Sequence, residues 1–171
     1  MSFLTMAKER YSCRQLSSEP VAKELLEKIL QAADAAPTAV NHQPYHIWVL
    51  TGEENAQKIA QTTGFTFGAQ TFLALGYDPK EAWVRPSDNR NFADIDAGIV
   101  GTHILMETYD LGLGTTWVGH FDAPKLKKLY PDMAAYDLIA LFPIGKPKPE
   151  AKPSSRHSER KGIEATSTWI K

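Results

Sequence analysis

The spacing of apolar and polar positions divides this chain into short strands and two long helices. From Val21 the apolar residues recur at Val21, Leu25, Ile29 and Ala33, with Leu26 and Leu30 widening the stripe. That beat predicts an amphipathic helix with one buried face, ending near Ala36 ahead of Pro37. Ser17-Ser18-Glu19-Pro20 has the composition of its start: a hydroxyl cap, an acid, then proline in the first turn. A second long helix is predicted over Asp94 to Leu111, where Ile95, Ile99, Thr102, His103, Met106 and Tyr109 keep helical spacing. Gly98 and Gly101 share a small-residue face of that helix. Each glycine costs roughly 1 kcal/mol relative to alanine, so the close packing of another backbone is the expected reason for them. Gly112-Leu113-Gly114 ends the helix.

Strands are predicted at His46–Thr51, Phe72–Tyr77, Thr115–Val118 and Leu138–Gly145, all rich in β-formers or continuous apolar runs. Short helices are expected up to Arg10, from Gly52 to Ala60, and from Pro124 to Tyr130. The polar stretch Pro79 to Phe92 reads as a surface loop. Irregular alternation around four or five strands implies an α+β domain, a central sheet flanked by two long helices, over residues 1–171. The tail from Lys146 is rich in Pro, Lys and Ser and has no apolar anchor until Ile163, Trp169 and Ile170. It cannot fold alone and is expected to lie across this molecule or a second copy.

Composition narrows the function classes. With 171 residues, 43% apolar and 23% charged, the chain has the make-up of one ordinary globular domain. A net charge of −1, from 19 basic and 20 acidic residues, gives no basic excess for nucleic acid or an anionic membrane. One cysteine, Cys13, excludes a disulfide framework or a cysteine-rich zinc site within one chain. Neither a signal peptide nor an apolar run of membrane-spanning length is evident, so a cytoplasmic location is expected.

Most familiar catalytic patterns are absent. The chain lacks Gly-x-Gly-x-x-Gly, the P-loop and the Gly-x-Ser-x-Gly elbow. His42 and His46 are four apart, but Pro44 lies between them and the second opens a strand, so they cannot share a helix face as metal ligands do. His103 reads as a helix residue against the core, and Cys13 as a small buried filler. What stands out is Arg10-Tyr11-Ser12-Cys13-Arg14. In an extended segment, alternate side chains point the same way, so two guanidiniums and a hydroxyl converge on one spot, an array suited to a phosphate.

Four blocks in order carry a family resemblance. Arg10-Tyr11-Ser12-Cys13-Arg14-Gln15-Leu16 resembles the N-terminal signature of the nitroreductase family. Ala35-Ala36-Pro37-Thr38-Ala39-Val40-Asn41-His42-Gln43-Pro44-Tyr45 is similar to that family's loop before a strand. Asp96-Ala97-Gly98, with Leu111 to Gly119, resembles its central helix and the strand after it. Leu141 to Pro147, followed by Arg160-Lys161-Gly162-Ile163-Glu164, resembles its last strand and closing segment. The resemblance implies an FMN-dependent α+β fold with a mostly antiparallel sheet, in a homodimer whose two flavin sites draw on both subunits. It implies that Arg10, Tyr11, Ser12 and Arg14, with Arg160 from the tail, hold the phosphate end of FMN. Pro37, Thr38, Ala39 and Asn41 would reach the flavin from the other subunit. Trp117, Val118 and Gly119 would line the ring, the Gly119 amide near flavin N5.

The implied activity is electron transfer from NADH or NADPH, through FMN, to a small electron-poor acceptor such as a nitroaromatic or quinone. The flavin carries the electrons, so no catalytic side chain is required. The alternatives are reductive dehalogenation or flavin breakdown on the same fold, or a non-catalytic FMN carrier or regulator. The family's polar or basic group over the flavin pyrimidine has no clear match between Gly64 and Phe92; Gln70, Lys80 and Arg85 are its candidates.

Overall fold

The computed structural model describes residues 2–170. Its elements run α1 (Phe3–Glu9), α2 (Lys23–Asp34), β1 (Tyr45–Thr51), α3 (Glu53–Ala60), β2 (Thr71–Tyr77), β3 (Val84–Arg85), β4 (Arg90–Asn91), α4 (Ala93–Asp110), β5 (Gly114–Thr115), α5 (Ala123–Leu129), β6 (Asp137–Gly145) and α6 (Ile163–Thr166). The main sheet has the order β1-β2-β6-β5, and every neighbouring pair is antiparallel.

Side chains alternate across a strand, and here both faces of the sheet are covered. Leu73 and Leu75 of β2, with Ala140, Phe142 and Ile144 of β6, face α2 and α4 and pack on Leu26, Ile29, Ala33, Ala97, Val100 and Ile104. Phe72, Ala74 and Leu141 face the other way, onto Ile59 of α3, Leu126 of α5 and Met133. Double coverage explains why β2 and β6 read as unbroken apolar runs rather than as alternating ones.

Three expectations need correction. The segment from Ser17 to Pro20 does not start α2, whose N-cap is Ala22 without any side-chain cap bond. Instead Leu16 bridges to Pro147, and the Ser17 N–H donates to the Lys146 carbonyl at 2.8 Å. Ladder partners from the far end of the chain outcompete the local cap. The expected strand Thr115–Val118 is split: β5 stops at Thr115, and Val118 rejoins the ladder alone, exchanging two 2.9 Å bonds with Leu141. Two residues along β6 from Leu141, at the next position for an exchanged pair, stands Pro143, which has no N–H to donate. The loop Pro79–Phe92 contains a small hairpin, β3 with β4, closed by a double contact from the Arg85 guanidinium to Asp88.

The helix glycines also differ from expectation. A Cβ on Gly101 would lie 2.3 Å from Trp117 Cζ3 and 3.2 Å from Phe142 Cζ, so the glycine makes room for an indole rather than a backbone. Gly98 faces open space.

At Gly68 both conformation and space require glycine. Its φ is +88°, and an added Cβ would meet the Leu16 carbonyl oxygen at 2.8 Å. Because the obstacle is backbone, Gly68→Ala is expected to cost about 2–4 kcal/mol from left-handed strain plus overpacking. Urea unfolding monitored by circular dichroism checks this.

Candidate functional site

The segment after α1 forms a strap across one end of the sheet. The Cys13 N–H donates to the Thr115 carbonyl (3.0 Å), the Leu16 N–H to the Phe67 carbonyl (3.0 Å), and the Gln15 carbonyl accepts from the Lys148 N–H (3.0 Å). Cys13 and Leu16 are 1% and 0% exposed and act as its core anchors. An extended strap that turns Cys13 inward turns Ser12 and Arg14 outward.

Arg10, Tyr11, Ser12 and Arg14 line a cleft of about 180 Å³, and Ser154, Arg156 and His157 close its other wall. The tail is brought there by two contacts: His157 Nε2 bonds to the Lys8 carbonyl at 3.0 Å, and its ring stands edge-on to Tyr11 at 6.5 Å. Arg160 does not line the cleft; its guanidinium donates to the carbonyls of His157 and Glu159. Burial, then the like charge of Arg160, hold the Arg10 guanidinium below its ordinary pKa. None of these four arginines pairs with a carboxylate among the described residues. A cluster of like charges without a counter-ion, part of it withdrawn from water, favours an anion. Arg156 was not among the residues singled out from the sequence. Its signal was its membership in the basic run Arg156 to Lys161, which alone reads as a solvated tail.

The Pro37–Asn41 residues lie at the opposite end of the sheet. The Ala39 N–H donates to Asp96 Oδ1 in the first turn of α4 at 2.9 Å; Asp96 is 1% exposed and its Oδ2 has no hydrogen-bond partner among the described residues. Thr38 Oγ1 accepts from the Gln43 N–H, and Asn41 Oδ1 from Gln43 Nε2. These bonds hold Val40, Asn41 and Gln43 at positive φ, uncommon for a β-branched valine, which is left 64% exposed. Along β6 the row at Asp137, next to this loop, and the row at Ile144, next to the strap, are roughly 24 Å apart at the strand rise. Within one chain, then, the loop and the arginine cleft are well separated.

Trp117 and Gly119 are exposed halfway along the β5 edge. The indole rests edge-on to Phe142 at 5.2 Å. Val118 differs from expectation. It is 5% exposed, its side chain lies in the core, and its N–H and carbonyl are both paired with Leu141. The three candidates between Gly64 and Phe92 are now separable. Arg85 is engaged by Asp88 and stacked over Phe92, and Lys80 sits in the turn before the hairpin, near the Pro37–Asn41 loop. That loop is joined to the same turn by the bond between His42 Nδ1 and the Glu81 carbonyl. Only Gln70, just before β2, lies at the strap end.

With this geometry in place, comparison with known proteins is decisive. The Nitroreductase family model matches residues 7–64 and 60–146. The chain belongs to the nitroreductase family. A protein of Archaeoglobus fulgidus, whose name carries both NADH dehydrogenase and NAD(P)H nitroreductase, is 30% identical over 162 residues, 86% of each chain. The Bacillus subtilis FMN reductase [NAD(P)H] is 28% identical over 124 residues, 63% of this chain and 50% of that one. A nitroreductase family protein of Clostridium difficile superposes with a TM-score of 0.90 at 28% identity, covering 100% and 99% of the two chains. A structure from Exiguobacterium sibiricum, in complex with FMN, shares the fold at a TM-score of 0.85 and 20% identity, covering 99% and 98%. The nitroreductase match takes in the strap, the Pro37–Asn41 loop and Trp117–Gly119. The second wall of the arginine cleft, Ser154 to His157, lies beyond it. No helix among the described residues is long and apolar enough to cross a membrane.

The bond from Ala39 to Asp96 ties the exposed loop tip to α4. Asp96→Ala is expected to release it, costing about 1.5–3 kcal/mol. Hydrogen exchange should then show faster exchange at Ala39 than at core amides of α4.

Proposed function

We propose that this nitroreductase family chain is an FMN-dependent oxidoreductase that carries electrons from NADH or NADPH to a small electron-poor acceptor, such as a nitroaromatic or a quinone. The observation that carries the reading is the cleft where Arg10, Arg14 and Arg156 face a common space beside the Ser12 hydroxyl, with Arg160 adding like charge. A phosphate monoester carries between one and two negative charges near neutral pH, a fair complement to this unpaired cluster. Arg10, Arg14 and Arg156 would hold it through charge-assisted bonds, with Ser12 as a neutral donor and Tyr11 as a wall.

From that anchor the exposed edge beside β5 runs past Trp117 to Gly119, whose main chain makes no hydrogen bond among the described residues and would face a planar ring. Bound there, FMN would supply the redox chemistry, accepting hydride equivalents from a nicotinamide and passing them to the acceptor. The protein's own share is to bind the phosphate, orient the ring along the edge and leave one ring face open. No side-chain acid or base is needed for those tasks.

The same reading calls for two copies of the chain. The length of β6 keeps Pro37, Thr38, Ala39 and Asn41 from the arginine cleft of their own chain, so a second protomer would bring them to an FMN anchored there. Ile163, Trp169 and Ile170 are 81%, 92% and 94% exposed, apolar side chains with no seat on their own chain. A groove of about 630 Å³ among Phe3, Met6, Ala32, His103 and Met106, between α1, α2 and α4, offers a second copy apolar surface.

The purified protein is expected to be yellow and to bleach with NADH or NADPH under anaerobic conditions. Protein that cannot be loaded with FMN refutes the reading, and loaded protein that no nicotinamide reduces marks an FMN carrier instead. Arg14→Ala is expected to weaken FMN binding by about 1.5–3 kcal/mol while leaving riboflavin binding nearly unchanged, measured by flavin fluorescence quenching. Light scattering should give twice the chain mass; a monomer that keeps FMN contradicts the shared site.

A further inference from the structure

Beyond Gly119 the β5 edge leads into a second cleft, of about 520 Å³, between the turn after α3 and the segment from His120 to Asp122. Its two walls are tied to each other. The Thr63 hydroxyl donates to the His120 carbonyl at 2.8 Å, the Asp122 N–H donates to the Thr62 carbonyl at 2.8 Å, and the Thr62 hydroxyl turns back to the Ile59 carbonyl at 2.9 Å. Thr62 and Thr63 are 7% and 8% exposed, so a pair of buried threonines fixes the spacing of the walls.

One exposed imidazole lines this fixed frame. His120 is exposed, its ring stands edge-on to Phe65 at 5.7 Å and 77°, and neither ring nitrogen has a hydrogen-bond partner among the described residues. The only formally charged residue on the walls, Asp122, has its carboxylate engaged by the Lys125 N–H at 2.9 Å as the cap of α5. No lysine or arginine lines the cleft. Phosphates and carboxylates therefore find no counter-charge there. An imidazole donor beside the aromatic side chains of Phe65 and Phe121, with the threonine hydroxyls spent on holding the walls, instead suits a neutral flat ring with carbonyl oxygens.

We propose that this cleft takes a neutral, planar, carbonyl-bearing ring and that His120 is its hydrogen-bond donor. The proposal rests on the FMN reading above. Two sources carry that chemistry: the pyrimidinedione edge of the flavin and the ring of a quinone acceptor. Both follow from the order of groups along one sheet edge, where the arginine cleft, Trp117, Gly119 and His120 succeed one another.

The test uses full-length, FMN-loaded His120→Ala and His120→Gln proteins beside the wild type. Three quantities are read: the FMN Kd by fluorescence quenching, the midpoint potential of bound flavin by dye equilibration, and KM and kcat for menadione. If the flavin edge is the occupant, His120→Ala weakens FMN about tenfold, the scale of one net hydrogen bond, and lowers the midpoint potential, because the lost donor favours the electron-rich reduced ring. If the quinone is the occupant, Kd and potential stay fixed while KM for menadione rises about tenfold at constant kcat. In either case His120→Gln, which keeps a donor, recovers most of the loss. Equal Kd, potential and KM in His120→Ala and wild type, at matched Tm, overturn the proposal, as does identical behaviour of the Ala and Gln variants. Absence of FMN binding by the wild type itself sinks the FMN reading instead, so the two failures are distinguishable.

Discussion

Mutual repulsion among guanidinium groups is the constraint on which the site depends. Three arginines share one cleft, with the like charge of Arg160 near Arg10; they come from two segments more than a hundred residues apart in the chain, and none is neutralised by a carboxylate among the described residues. Left free, such charges separate into water. They are held because the strap that carries Arg10 and Arg14 is bonded to β5, to the turn at Phe67 and to Lys148 just past β6, with Cys13 and Leu16 sunk in the core. The energy of that packing offsets the electrostatic cost of assembling the cluster, and an arriving anion recovers it.

The strap in turn explains details that otherwise look unrelated. Gly68, Gly114 and Gly145 each sit where a side chain would strike Cys13, Leu16 or Ser17. The absent cap of α2 belongs to the same arrangement, since Ser17 spends its N–H on Lys146 rather than on starting a helix. One extended segment thus sets the end of the sheet, the entry to α2 and the direction in which the arginines point.

The other half of the geometry is distance. The loop from Pro37 to Asn41 is built with comparable care, on the buried carboxylate of Asp96, and holds a valine at positive φ in full view of solvent. A strained, exposed, well-anchored loop tip makes sense as a surface offered to something outside its own chain. The length of β6 keeps it from its own arginine cleft, and the tail beyond Ile163 is likewise apolar without a home. Both features are what the proposed two-copy site calls for.

Much of this protein was legible in one dimension. The four-residue beat of α2, the apolar runs of β2 and β6 and the alternation of Arg10, Ser12 and Arg14 follow from local periodicity, which depends only on the geometry of helix and strand. The blocks that resemble the nitroreductase family were readable because turn residues and charges keep their order along the chain. What tertiary structure alone decided are pairings between distant segments: Ser17 with Lys146, Gly101 with the Trp117 indole, Val118 turned into the core, Arg156 brought round to Arg10, and His120 tied to Thr63. Local sequence carries propensities worth a fraction of a kcal/mol per residue, and any of them yields to a buried ladder bond or a packed ring. A basic tail looks like solvated surface until the fold brings Arg156 beside the strap.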